Sequence, residues 1–145
     1  MVRKLGGVTL SKYNSKNHSK FKIIYHIIFV VKYRQKLLSV FGDKIKEYML
    51  QISEKYDFKI LEMEVDKDHI HMMIESEPKL SPLMIVRVLK QQSTKNIWRD
   101  YTKSMRRYFG HEITFWTDGY FCSSIGEVSQ QALKKYIENQ GRKNK

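Results

Sequence analysis

The chain has 145 residues, of which 41% are hydrophobic and 12% aromatic, enough for a single domain with a packed core. Its 27 lysines and arginines against 15 acidic residues give a net charge of +12, which favours a polyanionic partner, nucleic acid before an acidic membrane. The single cysteine, Cys122, excludes an intrachain disulfide, and no apolar run approaches the ~20 residues that cross a bilayer, so the sequence predicts a soluble, cytoplasmic protein.

The first predicted unit is a basic arm over residues 1–20, followed by a single domain over residues 21–145. The arm contains five basic residues and no acidic one: Arg3, Lys4, Lys12, Lys16 and Lys20. It either contacts DNA or is a solvated tail. The apolar, β-branched run from Phe21 to Val31 then predicts a strand that is covered on both faces.

A helix, two strands and a second helix follow in chain order. Helical spacing of apolar residues predicts the first helix from Asp43 to Tyr56. Alternation of apolar and polar residues predicts two strands within residues 61–74. A serine N-cap followed by Pro82 predicts a second helix that reaches at least Trp98. Its predicted buried stripe is Val86, Leu89, Ser93 and Ile97.

The last part of the domain is predicted to add a strand and a helix. A strand-like stretch from Ile113 to Ile125 is broken by a turn at Asp118-Gly119, and a final helix covers about Ser129 to Gln140. The resulting order is β-α-β-β-α-β-α. This order predicts an α+β fold in which an antiparallel sheet has helices packed on one face.

The most informative segment is LEMEVDKDHIHMMI, residues 61–74. A two-residue turn at Lys67-Asp68 would pair Glu64 with His71 and Asp66 with His69. The core face of this hairpin would consist of Leu61, Met63, Val65, Ile70, Met72 and Ile74. The other face would then hold two imidazoles beside three carboxylates.

Two histidines at alternate positions of a strand point the same way and can chelate one metal ion. Glu64 or Asp66 would complete the coordination or hold the imidazoles in the metal-binding tautomer. Nitrogen and oxygen ligands favour Mg²⁺ or Mn²⁺ at a phosphate over a structural zinc ion. The alternative is two ordinary surface histidines, and the spacing of His69 and His71 alone leaves both readings open.

Tyr136 and Gln140 are four residues apart, so they share one face of the final helix. Leu133 and Ile137 form a neighbouring apolar pair that can dock this helix on the sheet. A tyrosine hydroxyl, with a reference pKa of ~10, is a poor nucleophile near neutral pH. A metal that polarises a phosphate would compensate. The alternative is a packed aromatic at Tyr136 and a solvated amide at Gln140.

Together these motifs resemble the single-tyrosine HUH transposases of the insertion sequence 200/605 class. His69-Ile70-His71 matches the histidine–hydrophobe–histidine motif of that family, and its lead-in DKDHIH is similar to the family's strand hairpin. The opening YH and KYR, the WT and GYF segment and the closing YIENQ occur in the same order. The resemblance extends from about residue 21 to residue 140.

The resemblance implies a ferredoxin-like fold with the HUH motif on a central strand. His69 and His71, joined by Gln140, would bind the divalent metal, Mg²⁺ or Mn²⁺. Tyr136 would attack single-stranded DNA, leaving a 5′-phosphotyrosine link and a free 3′-hydroxyl, and a second attack by a 3′-hydroxyl would rejoin strands. Proteins of this kind form homodimers, in which the tyrosine helix of one chain can complete the site of the other.

The resemblance also implies binding to DNA hairpins near the ends of a mobile element. The stretch from residue 87 to residue 107 fits this role, since its only acidic residue is Asp100. Its basic residues are Arg87, Lys90, Lys95, Arg99, Lys103, Arg106 and Arg107. Phosphate contacts from these side chains would position the hairpin. For each of them the alternative is a solvated helix face.

Other functions are compatible with parts of this pattern. An HUH replication initiator, or a domesticated protein that acts on repeat hairpins, would share the chemistry, and strand rejoining would separate a transposase from an initiator. A non-catalytic module for single-stranded nucleic acid would need neither Tyr136 nor a metal. A histidine-triad nucleotide hydrolase is disfavoured because HIHMM contains too few histidines.

Overall fold

The computed structural model of the chain describes residues 22–124 and 135–140. Four strands form one antiparallel sheet in the order β2-β3-β1-β4: β1 (Ile23–Val30), β2 (Lys59–Val65), β3 (His69–Ser76) and β4 (Phe121–Ser124). The helices are α1 (Leu38–Tyr56), α2 (Pro82–Asp100) and α3 (Thr102–Phe109), and residues 135–140 are also helical (α4). The α+β, ferredoxin-like prediction is confirmed, and the HUH motif lies on the central strand β3. The predicted basic arm lies outside the described residues.

Alternation along the strands separates the sheet into two faces. Ile27 and Phe29 of β1 and Ile70 and Met72 of β3 are fully buried on the face that α1 and α2 cover. Burying a side chain of this size contributes roughly 1.5–3 kcal/mol. The predicted stripe of α2 is buried throughout: Val86, Leu89, Ser93 and Ile97. Cys122 pairs with Ile27 and packs, half-buried, against the same core.

The hairpin of β2 and β3 has the predicted register, with Glu64 opposite His71. The predicted core position of Leu61 is wrong. A bulge between Ile60 and Glu62 shifts the register there, and Leu61 is 38% exposed. A bulge inserts one unpaired residue into a strand, which breaks the strict alternation on which the prediction depended.

The helix boundaries differ from prediction where the sequence has no capping signal. The α2 helix begins as predicted, with the Ser81 hydroxyl accepting a hydrogen bond from the Met84 N–H at 3.1 Å. The α1 helix begins at Leu38 rather than at the predicted Asp43. Its N-cap residue, Leu37, has no side chain that can cap a helix, so the sequence contains no signal for this start. None of the helices in the described ranges combines the length and the apolar character needed to cross a membrane.

The predicted strand from Ile113 to Ile125 is confirmed only at its end. β4 covers Phe121–Ser124, and Trp116 forms an isolated bridge with Val31. Ile113 is 71% exposed in the loop between α3 and the bridge. Of the predicted final helix, residues 135–140 are helical and the preceding residues lie outside the described ranges.

Candidate metal and tyrosine site

The turn between β2 and β3 brings the two histidines into one place. The Asp66 N–H donates to the carbonyl of His69 at 2.9 Å, and the Asp66 carboxylate accepts from the Lys67 N–H at 2.8 Å. These bonds close the predicted two-residue turn. His69 and His71 therefore project from the start of β3 on the same face as Glu64.

An open pocket of about 260 Å³ lies over this face of the sheet. It is lined by Ile28, Glu64, Val65, Asp66, His69, His71 and Ile137. Both predicted imidazoles and two of the three predicted carboxylates therefore face a common space. Ile137 belongs to α4, so the helix that bears Tyr136 packs beside the same pocket.

The carboxylate that hydrogen-bonds to His69 is that of Asp68, and not that of Glu64 or Asp66 as predicted. Asp68 Oδ1 lies 3.1 Å from His69 Nδ1, and Asp68 Oδ2 accepts from Arg34 Nε at 2.9 Å. Burial alone would raise the pKa of Asp68, but the hydrogen bonds from His69 and Arg34 outweigh burial and hold that pKa below its usual range. Asp68 therefore stays ionised between an imidazole and a guanidinium.

Arg34 reaches Asp68 from a strained backbone. Tyr33 and Arg34 have φ values of 61° and 51° in the short 3₁₀ turn Lys32–Arg34. A left-handed conformation at a residue other than glycine costs on the order of 1–3 kcal/mol. The turn is held in place by its neighbours, since the Lys32 N–H donates to the Phe115 carbonyl at 2.8 Å and the Tyr33 hydroxyl donates to Glu112 at 2.9 Å.

His71 contacts a third histidine, His26 of β1. His26 Nδ1 and His71 Nε2 are 2.9 Å apart, and the ring centres are 5.1 Å apart with the planes inclined by 16°. The two separations differ by about the width of one imidazole ring, so the nitrogens lie near the line between nearly coplanar rings. This alignment is that of a hydrogen bond between the two rings. Two histidines that bind one metal ion would instead point their lone pairs at a common centre. Burial, followed by the charge of His26, lowers the pKa of His71.

The helix α4 places Tyr136 against β4. The Tyr136 ring lies on Phe121, with ring centres 5.7 Å apart. Its hydroxyl is buried, and no hydrogen-bond partner for it lies within the described ranges. Burial, with a smaller contribution from Tyr120, raises the pKa of Tyr136. The phenol is therefore protonated at neutral pH. The Tyr136 side chain is not among the described side chains that line the histidine pocket.

Gln140 is buried one turn after Tyr136, at 8% exposure. Its amide lies against Gly119, where an added Cβ would be 2.9 Å from Gln140 Oε1. Gly119 itself is positioned by Lys90, whose ammonium donates to the carbonyls of Thr117, Asp118 and Gly119 at 2.6, 3.1 and 2.9 Å. The predicted solvated alternative for Gln140 is therefore wrong.

The two histidines would supply only part of the coordination of a metal ion. Within residues 22–124 and 135–140, no three His, Cys, Asp or Glu side chains are arranged to hold a metal ion together. Mg²⁺ and Mn²⁺ are commonly held by few protein ligands, with water and phosphate supplying the others. His69 fits this role, since Asp68 occupies its Nδ1 and leaves Nε2 for a metal.

The residues predicted to bind DNA fall into two groups. Six are exposed on α2 and α3: Arg87, Lys95, Arg99, Lys103, Arg106 and Arg107. Among these, Arg99 forms an ion pair with Asp100 at 2.9 Å. Lys90 differs because it is half-buried and bonded to three carbonyls, and burial lowers its pKa to about 8. Its visible role is to hold the loop beside Gln140.

Sequence reasoning missed Asp68 and its partner Arg34, and it gave His26 no role of its own. The sequence analysis placed Asp68 in the Lys67-Asp68 turn, where strand alternation does not predict the direction of a side chain. No sequence signal marks Asp68 as buried, so its pairing with Arg34 is visible only in the structure.

The sequence pattern of the family described as "Transposase IS200 like" matches residues 19–140. The chain belongs to this family. The transposase is 27% identical over 121 residues to the ISDra2 transposase TnpA of Deinococcus radiodurans, covering 83% of this chain and 85% of that protein. It is 29% identical over 126 residues to the transposase for insertion sequence element IS200 of Salmonella typhimurium, covering 85% and 80%.

Solved structures share the fold of this transposase. A crystal structure of a transposase from Deinococcus radiodurans superimposes with a TM-score of 0.76 at 23% identity, covering 87% of this chain and 95% of that one. A REP-associated tyrosine transposase bound to a REP hairpin superimposes with a TM-score of 0.54 at 12% identity, covering 86% and 68%. At these identities the likeness concerns the fold alone.

Proposed function

We propose that this transposase cuts and rejoins single-stranded DNA, with Tyr136 as the nucleophile. His69 and His71, together with Gln140, would hold a divalent cation, Mg²⁺ or Mn²⁺. The observation that carries the proposal is the shared pocket, into which both histidines open and against which α4 packs through Ile137. When bound, the cation would polarise the scissile phosphate and stabilise charge in the transition state.

The first step is a transesterification at phosphorus. The Tyr136 oxygen attacks the scissile phosphate, the bond from phosphorus to the 3′-oxygen breaks, and the phenolic proton is lost as the 3′-hydroxyl is formed. The product is a 5′-phosphotyrosine link beside a free 3′-hydroxyl. In the second step another 3′-hydroxyl attacks that phosphorus and the tyrosine is released. One phosphodiester is exchanged for another, so neither step needs ATP.

Attack requires Tyr136 to leave its position on Phe121. Its hydroxyl is buried against β4, and burial keeps the pKa of the phenol above its ordinary value. We therefore propose that DNA binding accompanies a movement of α4. The hydroxyl then enters a histidine pocket, either that of its own chain or that of a second copy in a homodimer.

The substrate we propose is a hairpin in single-stranded DNA. The net charge of +12 and the six exposed basic residues of α2 and α3 supply phosphate contacts for a folded stem. A protein of similar fold is bound to a REP hairpin. Cleavage would then fall in the unpaired strand beside the stem.

The test is covalent trapping on single-stranded oligonucleotides from both ends of the gene's neighbourhood, with Mg²⁺ present. A strand labelled at its 3′ end should label the protein on a denaturing gel. A strand labelled at its 5′ end should yield a shorter product that a polymerase can extend. Joined strands in the same reaction would distinguish a transposase from a replication initiator.

Two losses of function and one control complete this experiment. Tyr136→Phe and His69→Ala should form no adduct, whereas Tyr56→Phe, the same change on α1, should match the wild type. Adduct formation by Tyr136→Phe would refute the assigned nucleophile. Hairpin binding by the wild type without any adduct would favour a non-catalytic binding protein.

A further inference from the structure

Asp68 occupies a position unlike that of the other carboxylates near the histidine pocket. It is 7% exposed, and its backbone carbonyl accepts a hydrogen bond from the Val31 N–H at 2.8 Å. The backbone of Asp68 is thus held by Val31, the residue after β1, and its side chain by Arg34 and His69. Asp66, by contrast, is exposed and uses its carboxylate to cap the turn.

The contact with His69 decides which ring nitrogen is available. A carboxylate accepts hydrogen bonds and cannot donate them while ionised, so the nitrogen facing Asp68 Oδ1 must carry the proton. His69 Nδ1 is that nitrogen, at 3.1 Å. The proton on Nδ1 leaves the Nε2 lone pair unprotonated.

Arg34 keeps Asp68 in the form that this arrangement needs. Its Nε donates to Asp68 Oδ2 at 2.9 Å, on the carboxylate oxygen that His69 does not use. The strained 3₁₀ turn brings the guanidinium to this point, and the turn is fastened by Phe115 and Glu112 on its other side. Strain of this kind persists only where the surrounding structure enforces it.

We propose that Asp68, supported by Arg34, is a positioning residue that fixes the tautomer and orientation of His69 for metal binding. The inference rests on the proposed function, because it gives His69 the role of a ligand. It assigns to Arg34 and Asp68 a task that the pocket carboxylates Glu64 and Asp66 do not perform. Partners of this type usually change metal affinity by about 10–100-fold when they are removed.

The first measurement is the tautomer of His69 in the metal-free protein. The side-chain ¹⁵N shifts would be recorded at about pH 8, above the ordinary histidine pKa of ~6.5, with His69→Ala providing the assignment. The wild type should show a proton on Nδ1. Asp68→Asn, whose amide can turn its N–H towards the ring, should shift His69 towards the other tautomer. A wild-type proton on Nε2 would overturn the proposal.

The second measurement is Mn²⁺ affinity by titration calorimetry on the same proteins. Asp68→Asn should weaken binding by roughly 10–100-fold and Arg34→Gln by less, because Arg34→Gln leaves the carboxylate in place. The control is Asp57→Asn, the same change at the exposed C-cap of α1, and it should bind like the wild type. Affinities and tautomers of both site variants equal to those of the wild type would contradict the proposal.

The two proposals fail in different ways. If the wild type binds Mn²⁺ no better than His69→Ala, the metal role of the histidines is wrong, whatever the tautomer. If wild type binds Mn²⁺ through His69 while Asp68→Asn keeps both tautomer and affinity, only the positioning role is lost. Should Asp68→Asn fail to fold, the wild-type tautomer and Arg34→Gln still decide the question.

Discussion

Each histidine of the HUH motif has one ring nitrogen engaged by a neighbour. His69 uses Nδ1 towards Asp68, and His71 uses Nε2 towards His26. A neutral imidazole has one donor and one acceptor nitrogen, so each contact restricts which nitrogen remains for another ligand. The resting site is therefore ordered before any ligand arrives.

The His26 contact can be tested through the titration of His71. Burial and then the charge of His26 lower the pKa of His71, so His26→Phe removes the second cause and retains most of the burial. We expect the pKa of His71 to rise towards its ordinary value. An NMR titration of the metal-free protein measures this, with His111→Phe as the matched control. An unchanged His71 titration curve would mean that the charge of His26 does not contribute to the shift.

Among the elements, the loop before β4 links the sheet to α4. Lys90 of α2 donates to the carbonyls of Thr117, Asp118 and Gly119, and Gly119 meets the amide of Gln140. An alanine Cβ at Gly119 would lie 2.9 Å from Gln140 Oε1, so the amide of Gln140 would have to shift. A helix, a loop and the proposed third ligand are thus connected through one ammonium group.

Lys90→Met tests this connection by keeping the apolar stem and removing the ammonium. The three carbonyls lose their donor, and we expect the free energy of unfolding to fall by about 1–3 kcal/mol. Urea denaturation measures the difference. Lys95→Met, on the exposed face of the same helix, should change stability by about 0.5 kcal/mol or less. A similar loss in both variants would argue against a role for the carbonyl contacts.

The elements also show where sequence reasoning succeeds. The assumed two-residue turn at Lys67-Asp68 predicted that Glu64 pairs with His71, and the structure has this pairing. Leu61 was misplaced since a bulge leaves no mark in the pattern. The contact of Asp68 with His69 was missed because it depends on the conformation of the turn. The left-handed conformation at Arg34 was missed because the sequence has no glycine there. The periodicity of the strands could be predicted from the sequence. Contacts that depend on irregular backbone could not, because no residue pattern specifies them.

For the whole molecule, charge is the dominant feature. The excess of 12 positive charges includes the exposed arginines of α3, Arg106 and Arg107. Met105 and Phe109, on the other side of α3, are buried in the core, so the helix holds its exposed arginines in a fixed position. Such a surface should bind phosphates with a strong dependence on salt.

The double variant Arg106→Gln/Arg107→Gln tests this surface with a DNA hairpin. Each lost phosphate contact should reduce the slope of log affinity against log salt by about 0.9. We expect weaker binding and a shallower slope by fluorescence anisotropy over a range of salt concentrations. Lys55→Gln/Lys59→Gln, which removes two exposed charges at the end of α1 and the start of β2, controls for the loss of two positive charges. A double variant with the wild-type slope would exclude α3 from the DNA surface.

The thiol of Cys122 can report on the opening of β4 at one edge of the sheet. Cys122 faces the core while its neighbour Phe121 supports Tyr136 on the other side of β4, and burial raises the pKa of the thiol. Opening of β4 would expose the half-buried thiol further and so increase its rate of alkylation. If DNA draws α4 away from an intact sheet, the labelling rate stays constant; if the strand peels off with its helix, the rate increases. The alkylation rate of one thiol thus distinguishes movement of α4 alone from separation of β4 from the sheet.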